Sequence, residues 1–182
     1  MLIALIVVAV IVLFAIFTYN RLVSLRQAWK RAFADIDVQL KQRQDLVPNL
    51  VETVKGYATH ESSVFTAVTQ ARASAMRATT VGEKSAAEGV LTSALGNLMA
   101  VAENYPQLKA NEQFNRLMDE LSGTENRIAT ERMRYNQLVQ DYNTSRRQFP
   151  GNITAKLFGF KDYPFFEAPP EAKEVPKVNF TK

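Results

Sequence analysis

Residues 1–17 read MLIALIVVAVIVLFAIF, with no charge, amide, glycine or proline among them. The first charged side chain is Arg21. At about 1.5 Å per residue, a helix of about 20 residues spans roughly 30 Å, the thickness of a bilayer's hydrocarbon. Leu2, Ile6, Val10, Leu13 and Phe17 are therefore read as residues of a membrane anchor, and Tyr19 falls where an interfacial aromatic belongs. A cleaved secretory signal would need a basic leading region, a shorter apolar core and a small-residue cleavage site. The chain opens Met-Leu-Ile and follows its apolar core with FTYNR, so a retained anchor is expected.

Charge placement sets the expected orientation. Arg21, Arg26, Lys30 and Arg31 precede the first acid, Asp35, and the remaining bases and acids balance. The high isoelectric point thus belongs to one flank of the anchor and not to a nucleic-acid-binding face, which would spread its bases over a surface. By the positive-inside rule these four residues set the topology: Met1 outside and the body of the chain in the cytoplasm, at a bacterial inner membrane crossed once.

From residue 20 to about 149 the pattern is helical. Five of the seven prolines lie at or beyond Pro150, so the body lacks the frequent turn signals of a β-sandwich or barrel. Leu22, Leu25, Trp29, Phe33, Ile36, Leu40, Val47, Val51, Val54 and Ala58 recur at threes and fours, one buried helix face. Pro48 falls within this run, so either Asp45 caps a new helix or the helix kinks there. A second helix is expected over about 61–78, with Val64, Phe65, Val68, Ala71 and Ala75 inward. A third spans about 83–104, using Ala87, Val90, Leu91, Ala94, Leu95, Leu98, Val101 and Tyr105. In the fourth, Phe114, Leu121, Ile128, Tyr135, Tyr142 and Phe149 recur every seven residues, with Leu117 and Leu138 at the second seam position.

The first and fourth helices are each about 38 residues beyond the membrane, and the second and third are about half that length, roughly 27–33 Å. The expected fold is all-α: a transmembrane helix continuous with an antiparallel up-down four-helix bundle of two long and two short helices, then an irregular tail. The domains are 1–20 (anchor), 21–149 (bundle) and 150–182 (tail rich in proline and aromatics). The two long helices leave a membrane-near stalk whose apolar seam is expected to meet either another subunit or the tail. Leu157, Phe158, Phe160, Tyr163, Phe165 and Phe166 give the tail an aromatic content unlike that of a disordered segment. With Lys156 and Lys161 these residues could lie in the membrane interface, or the tail could fold back over the base of the bundle.

Several runs resemble the LemA family: IDVQLKQRQDLVPNLVETVKGYATHE at 36–61, ENYPQLKAN at 103–111, TENRI at 124–128, RYNQLVQDYN at 134–143, FPGN at 149–152, GF at 159–160 and PKVNF at 176–180. The resemblance implies a bacterial protein with one N-terminal membrane helix and an antiparallel four-helix domain. It brings no catalytic residue with it. One relative in the family takes part in building magnetosome membranes.

No cysteine is present and there is one histidine, His60. Thiolate sites, a two-histidine zinc helix and the paired Glu-x-x-His motifs of a di-iron bundle are excluded. Asp35, Asp37, Asp45, Glu52, Glu103, Glu125 and Glu131 could hold a metal only through oxygen, and solvated helix faces account for most of them. His60 lies near the expected membrane-distal turn, where it could sense pH or simply neighbour a helix cap. Arg43 stands where the first helix's apolar series skips from Leu40 to Val47. Aligning residue 58 with residue 110 in antiparallel helices puts Arg43 opposite Glu125, a structural ion pair. No cofactor and no small-molecule or nucleic-acid ligand is expected. The partners expected are the lipid bilayer and either another protein or a second copy. The function expected is a non-catalytic membrane-anchored interaction or scaffold protein. The alternatives are a membrane-shaping or microdomain-forming homo-oligomer and, more remotely, an enzyme.

Overall fold

The computed structural model describes residues 1–167, and the expected tail beyond Glu167 lies outside the described residues. The chain is all-helical, and no strand occurs among the described residues. In order the helices are α1 (Leu2–Lys55), α2 (Ser62–Arg77), α3 (Val81–Glu103), α4 (Pro106–Lys109), α5 (Glu112–Arg147) and α6 (Gly151–Leu157). They form two compact units. One comprises Met1–Asp37 with Ala129–Phe165; the other comprises Val38–Ile128 with Phe166 and Glu167.

In the second unit, four helical segments share one apolar core. The end of α1 contributes Leu46, Val47, Leu50, Val51 and Val54. Helix α2 contributes Phe65, Val68, Ala71 and Ala75, and α3 contributes Leu91, Ala94, Leu95, Leu98 and Ala102. The start of α5 adds Phe114, Leu117 and Leu121. The threes-and-fours spacing of each set is what places these side chains on one face. Helices α1 and α5 run antiparallel here. Asn111 donates to the Tyr57 hydroxyl at 2.9 Å, Arg43 to Glu125 at 3.1 Å and Arg127 to Gln39 at 3.0 Å, so residue numbers fall along one helix as they rise along the other.

Pro48 neither starts a helix nor breaks one, because α1 runs through it. A proline cannot donate to the carbonyl four residues back, here that of Gln44. The Arg72 side chain on α2 supplies the missing donor, with Nε 2.6 Å from the Gln44 carbonyl oxygen. An inter-helix hydrogen bond thus replaces the intra-helix one and leaves no orphaned acceptor.

Helix α3 begins with a capping box at Thr80 and Glu83. The Thr80 hydroxyl accepts from the Glu83 N–H at 3.2 Å, and the Glu83 carboxylate accepts from the N–H groups of Thr79 and Thr80, both at 3.0 Å. Those backbone hydrogen bonds, first that of Thr79, hold the Glu83 carboxyl down from 4.5 to about 2. A lowered folded-state value means that the cap contributes stability at neutral pH and loses it on acidification. The loss is expected between about pH 4.5 and about 2. Carboxyl-carbon NMR of Glu83 is expected to titrate well below the other exposed glutamates, and a midpoint near the ordinary glutamate value would contradict the box.

In the first unit, Leu22, Trp29, Ala32 and Ile36 of α1 and Tyr135, Val139 and Tyr142 of α5 are buried, together with Ala155 and Phe160. The chain after α6 packs back on this pair of helices. The Tyr163 ring lies 3.9 Å from that of Trp29 between centres, and Tyr135 packs edge-on against Trp29 at 6.3 Å. The hydroxyls of Tyr135 and Tyr142 donate to the carbonyls of Pro164 and Lys161, each at 3.0 Å. Asn143 both donates to the Tyr163 carbonyl (2.9 Å) and accepts from its N–H (3.1 Å). The tail, one of the two occupants expected of this seam, packs on part of it.

Four local expectations change. Val90 is 59% exposed, and its place in the α3 seam is taken by the buried Glu88, which has charged and amide partners on α1. Phe149 is 78% exposed, because α5 ends at Arg147 and the seam with it. Val139, fully buried, takes the second seam position expected of the half-buried Leu138. The tail is not wholly irregular, since Gly151–Leu157 forms α6.

Candidate functional site

A polar cluster lies in the interior of the second unit. Arg43 is 3% exposed and Glu88 1%. Arg43 Nη1 donates to Glu88 Oε2 at 3.2 Å, and its Nη2 donates to Glu125 Oε1 at 3.1 Å and to the Thr92 hydroxyl at 2.9 Å. Gln44 Nε2 donates to the other Glu88 oxygen at 2.8 Å. Both oxygens of the buried carboxylate are therefore satisfied, and the buried guanidinium has a buried counter-charge. The structure brings Arg43 and Glu125 together, but the Glu125 side chain is 47% exposed, so the desolvated partner is Glu88. The sequence carried a signal for Glu88. It occupies the α3 face between Ala87 and Leu91, an acid in an otherwise apolar stretch. Arg72 had no comparable signal, because its role depends on the carbonyl that Pro48 leaves free.

The chemistry available to this cluster is limited by its own satisfaction. Most of its donors and acceptors are engaged with one another, although the buried Arg43 Nε has no hydrogen-bond partner. Among the described residues no three histidine or acidic side chains converge as metal ligands. The acids named from the sequence are dispersed; Asp35, for example, pairs with Arg134 at 3.5 Å. His60 is exposed in the turn between α1 and α2.

The second candidate region is the N-terminal run and what surrounds its end. Leu2, Ile6, Val10, Leu13 and Phe17 are all more than half exposed, as is nearly every side chain from Met1 to Phe17. Helix α1 is long and apolar enough to cross a membrane. Thr18 is buried and satisfies its hydroxyl on the Phe14 carbonyl at 2.8 Å. Arg21, Lys30 and Arg31 are exposed, whereas Arg26 is half-buried with its guanidinium 5.3 Å from the centre of the Phe160 ring.

The five tail aromatics and Leu157 divide into two groups. Phe160 and Phe166 are buried and Tyr163 is half-buried, so these three belong to the protein interior. Leu157, Phe158 and Phe165 are exposed at 75%, 55% and 48%. Around the buried group the electrostatics hold the tail in place. Asp162 accepts from Arg146 at 2.8 Å and from Arg147 at 3.1 Å. The Arg147 hydrogen bond, aided by the positive charge of both arginines, keeps its carboxyl below the usual range. Burial, with Tyr163 nearby, pushes the Tyr135 phenol up to about 12, and burial likewise raises Tyr142. Both phenols stay protonated at neutral pH and keep donating to the tail carbonyls.

The chain is 27% identical over 178 residues to the magnetosome proteins MamQ 1 and MamQ 2 of Paramagnetospirillum magneticum (strain ATCC 700264 / AMB-1). It is 25% identical over the same length to magnetosome protein MamQ of Magnetospirillum gryphiswaldense (strain DSM 6361 / JCM 21280 / NBRC 15271 / MSR-1). Each match covers 84% of this chain and 65% of the relative, so the chain spans less than two thirds of the length of these curated relatives. Residues 32–180 match the family model described as LemA family. With that match extending over most of its length, the chain belongs to the LemA family.

Proposed function

We propose that this protein is a membrane-anchored helical interaction or scaffold protein that works by binding and positioning partners and not by catalysis. The observation that carries the reading is the uncovered apolar run at the start of α1, which continues without a break into the helix whose far end builds the core of the second unit. The buried charges serve that core: Arg43 and Gln44 each engage one oxygen of the Glu88 carboxylate. LemA membership and the similarity to magnetosome proteins support a role at a membrane. Crosslinking in intact cells followed by mass spectrometry tests the proposal. A reproducible heterologous partner is the expected result; crosslinks only between copies of this chain would favour the second reading, a membrane-shaping homo-oligomer. That reading has its own support in the MamQ similarity.

The orientation is part of the proposal, with the helical body in the cytoplasm because Arg21, Arg26, Lys30 and Arg31 follow the anchor. Ser122 is exposed on α5, and the chain has no cysteine of its own. Ser122→Cys is expected to resist membrane-impermeant maleimide in intact cells and to react after permeabilisation. Labelling of sealed cells would reverse the topology.

A further inference from the structure

Helix α6 presents Ile153 and Leu157 to the outside, and Phe149 stands just before the helix. Phe149, Ile153 and Leu157 follow one another at four-residue intervals and are 78%, 59% and 75% exposed, and Phe158 beside them is 55% exposed. The opposite side of the segment is bound to the protein: Gly151, Thr154 and Ala155 are buried. Gly151 sits so close to the end of α5 that a Cβ there would lie 2.0 Å from the Ser145 carbonyl oxygen. Only glycine admits this approach, so the outward face of α6 is fixed by its seating.

The height of that face along α1 identifies its partner. Phe149, Pro150 and Gly151 line a small cavity, about 150 Å³, together with Phe14, Phe17, Thr18, Arg21 and Leu22. The Phe158 ring lies 4.8 Å from that of Tyr19. The exposed groups therefore stand beside residues 14–22, where the apolar run of α1 gives way to its first charge. A bilayer surrounding that run must reach this level. Lys156 and Lys161 are exposed on the same segment and suit the headgroup zone of a membrane containing anionic lipid.

We propose that Phe149, Ile153, Leu157 and Phe158 form a second membrane-contact surface, which rests in the lipid interface beside the anchor and fixes the first unit against the bilayer. The occupant is lipid, because the patch continues the uncovered apolar surface of α1 at the level where that surface ends. The inference rests on the reading of residues 2–20 as a membrane-spanning segment.

The full-length chain reconstituted in phosphatidylcholine–phosphatidylglycerol vesicles tests it. Single cysteines at Ile153, Leu157, Val10 and Met133 would each carry a nitroxide. Met133 is 70% exposed on α5 and serves as the water reference; Val10 reports insertion of the anchor. Collision rates with oxygen and with a water-soluble nickel chelate are then compared. Ile153→Cys and Leu157→Cys are expected to show an oxygen-to-nickel ratio several-fold above that of Met133→Cys and below that of Val10→Cys. Nickel access at 153 and 157 equal to that at 133, with 10 still in lipid, would overturn the surface while leaving the anchor intact. Nickel access at 10 would overturn both. Spectral broadening at 153 that disappears on dilution with unlabelled protein would assign the patch to a second copy and overturn the lipid assignment. All four positions are exposed, so the labels leave the cores undisturbed.

Discussion

Arg43→Ala is expected to destabilise the second unit by roughly 3–5 kcal/mol, because it strands the Glu88 carboxylate, 1% exposed, without its counter-charge. Glu88→Ala is expected to cost a similar amount by leaving the guanidinium in the same position. Glu125→Ala should cost only about 0–1 kcal/mol, since water already reaches that carboxylate and competes for the arginine. The double variant Arg43→Met with Glu88→Leu should recover most of the loss, since well-packed apolar side chains replace a buried pair at little cost or with a gain. Denaturant melts of the full-length chain in detergent, arranged as two double-mutant cycles, measure this. Strong coupling for 43 with 88 and weak coupling for 43 with 125 is the expected pattern. Equal coupling in both cycles would mean that Glu125 is as desolvated as Glu88, and additivity in both would remove the cluster from the core.

That pattern also marks how far the sequence could be read. The gap between Leu40 and Val47 exposed Arg43 as a charge on a buried face, and an antiparallel register was enough to place Glu125 near it. The register came from two long helices, whose periodicity is redundant over many turns. Glu88 required the facing of a third helix to be known within one residue, and a run as apolar as Gly89-Val90-Leu91 leaves the rotation of α3 undetermined. The helix turns Val90 outward and Glu88 inward because Arg43 and Gln44 offer the carboxylate two partners, while Val90 would gain only its own burial. Pro48 is a similar case. Its missing N–H is visible in the sequence, but the compensating Arg72 comes from a separate helix.

The N-terminal apolar helix was legible throughout, because an uncharged run of this length is enough for a helix that could cross a membrane. The end of the fourth helix was less so. A heptad pattern continues as far as apolar residues keep its spacing, and Phe149 keeps it by coincidence two residues past Arg147. Composition announced that the aromatics of the tail would be used. It could not divide them, since Phe160 and Phe158 differ in fate only through the turn at Gly159, where φ is 69°. That left-handed geometry suits glycine and directs the following residue inward, so Phe160 is buried and Phe158 is not.

Trp29→Ala is the second substitution expected to have a large effect, about 3–5 kcal/mol on the first unit. Trp29 is 5% exposed and is the surface on which the returning tail is laid, with the Tyr163 ring 3.9 Å away and Tyr135 meeting it edge-on. Its loss removes the apolar floor beneath Tyr163, while the paired hydrogen bonds of Asn143 to the Tyr163 backbone remain chemically possible. The expected consequence is local before it is global: amide exchange in residues 160–164 accelerates while that of α2 and α3 is unchanged. Trp29→Phe should be much milder, because the indole Nε1 has no hydrogen-bond partner to lose and the change is one of volume alone. Asn143→Ala provides the complementary case, removing both backbone hydrogen bonds but none of the aromatic packing. Exchange measured by mass spectrometry on the three variants separates the two contributions. If Trp29→Ala leaves residues 160–164 as protected as in the parent, the tail is held by its polar contacts alone, and Trp29 is not the floor on which it rests.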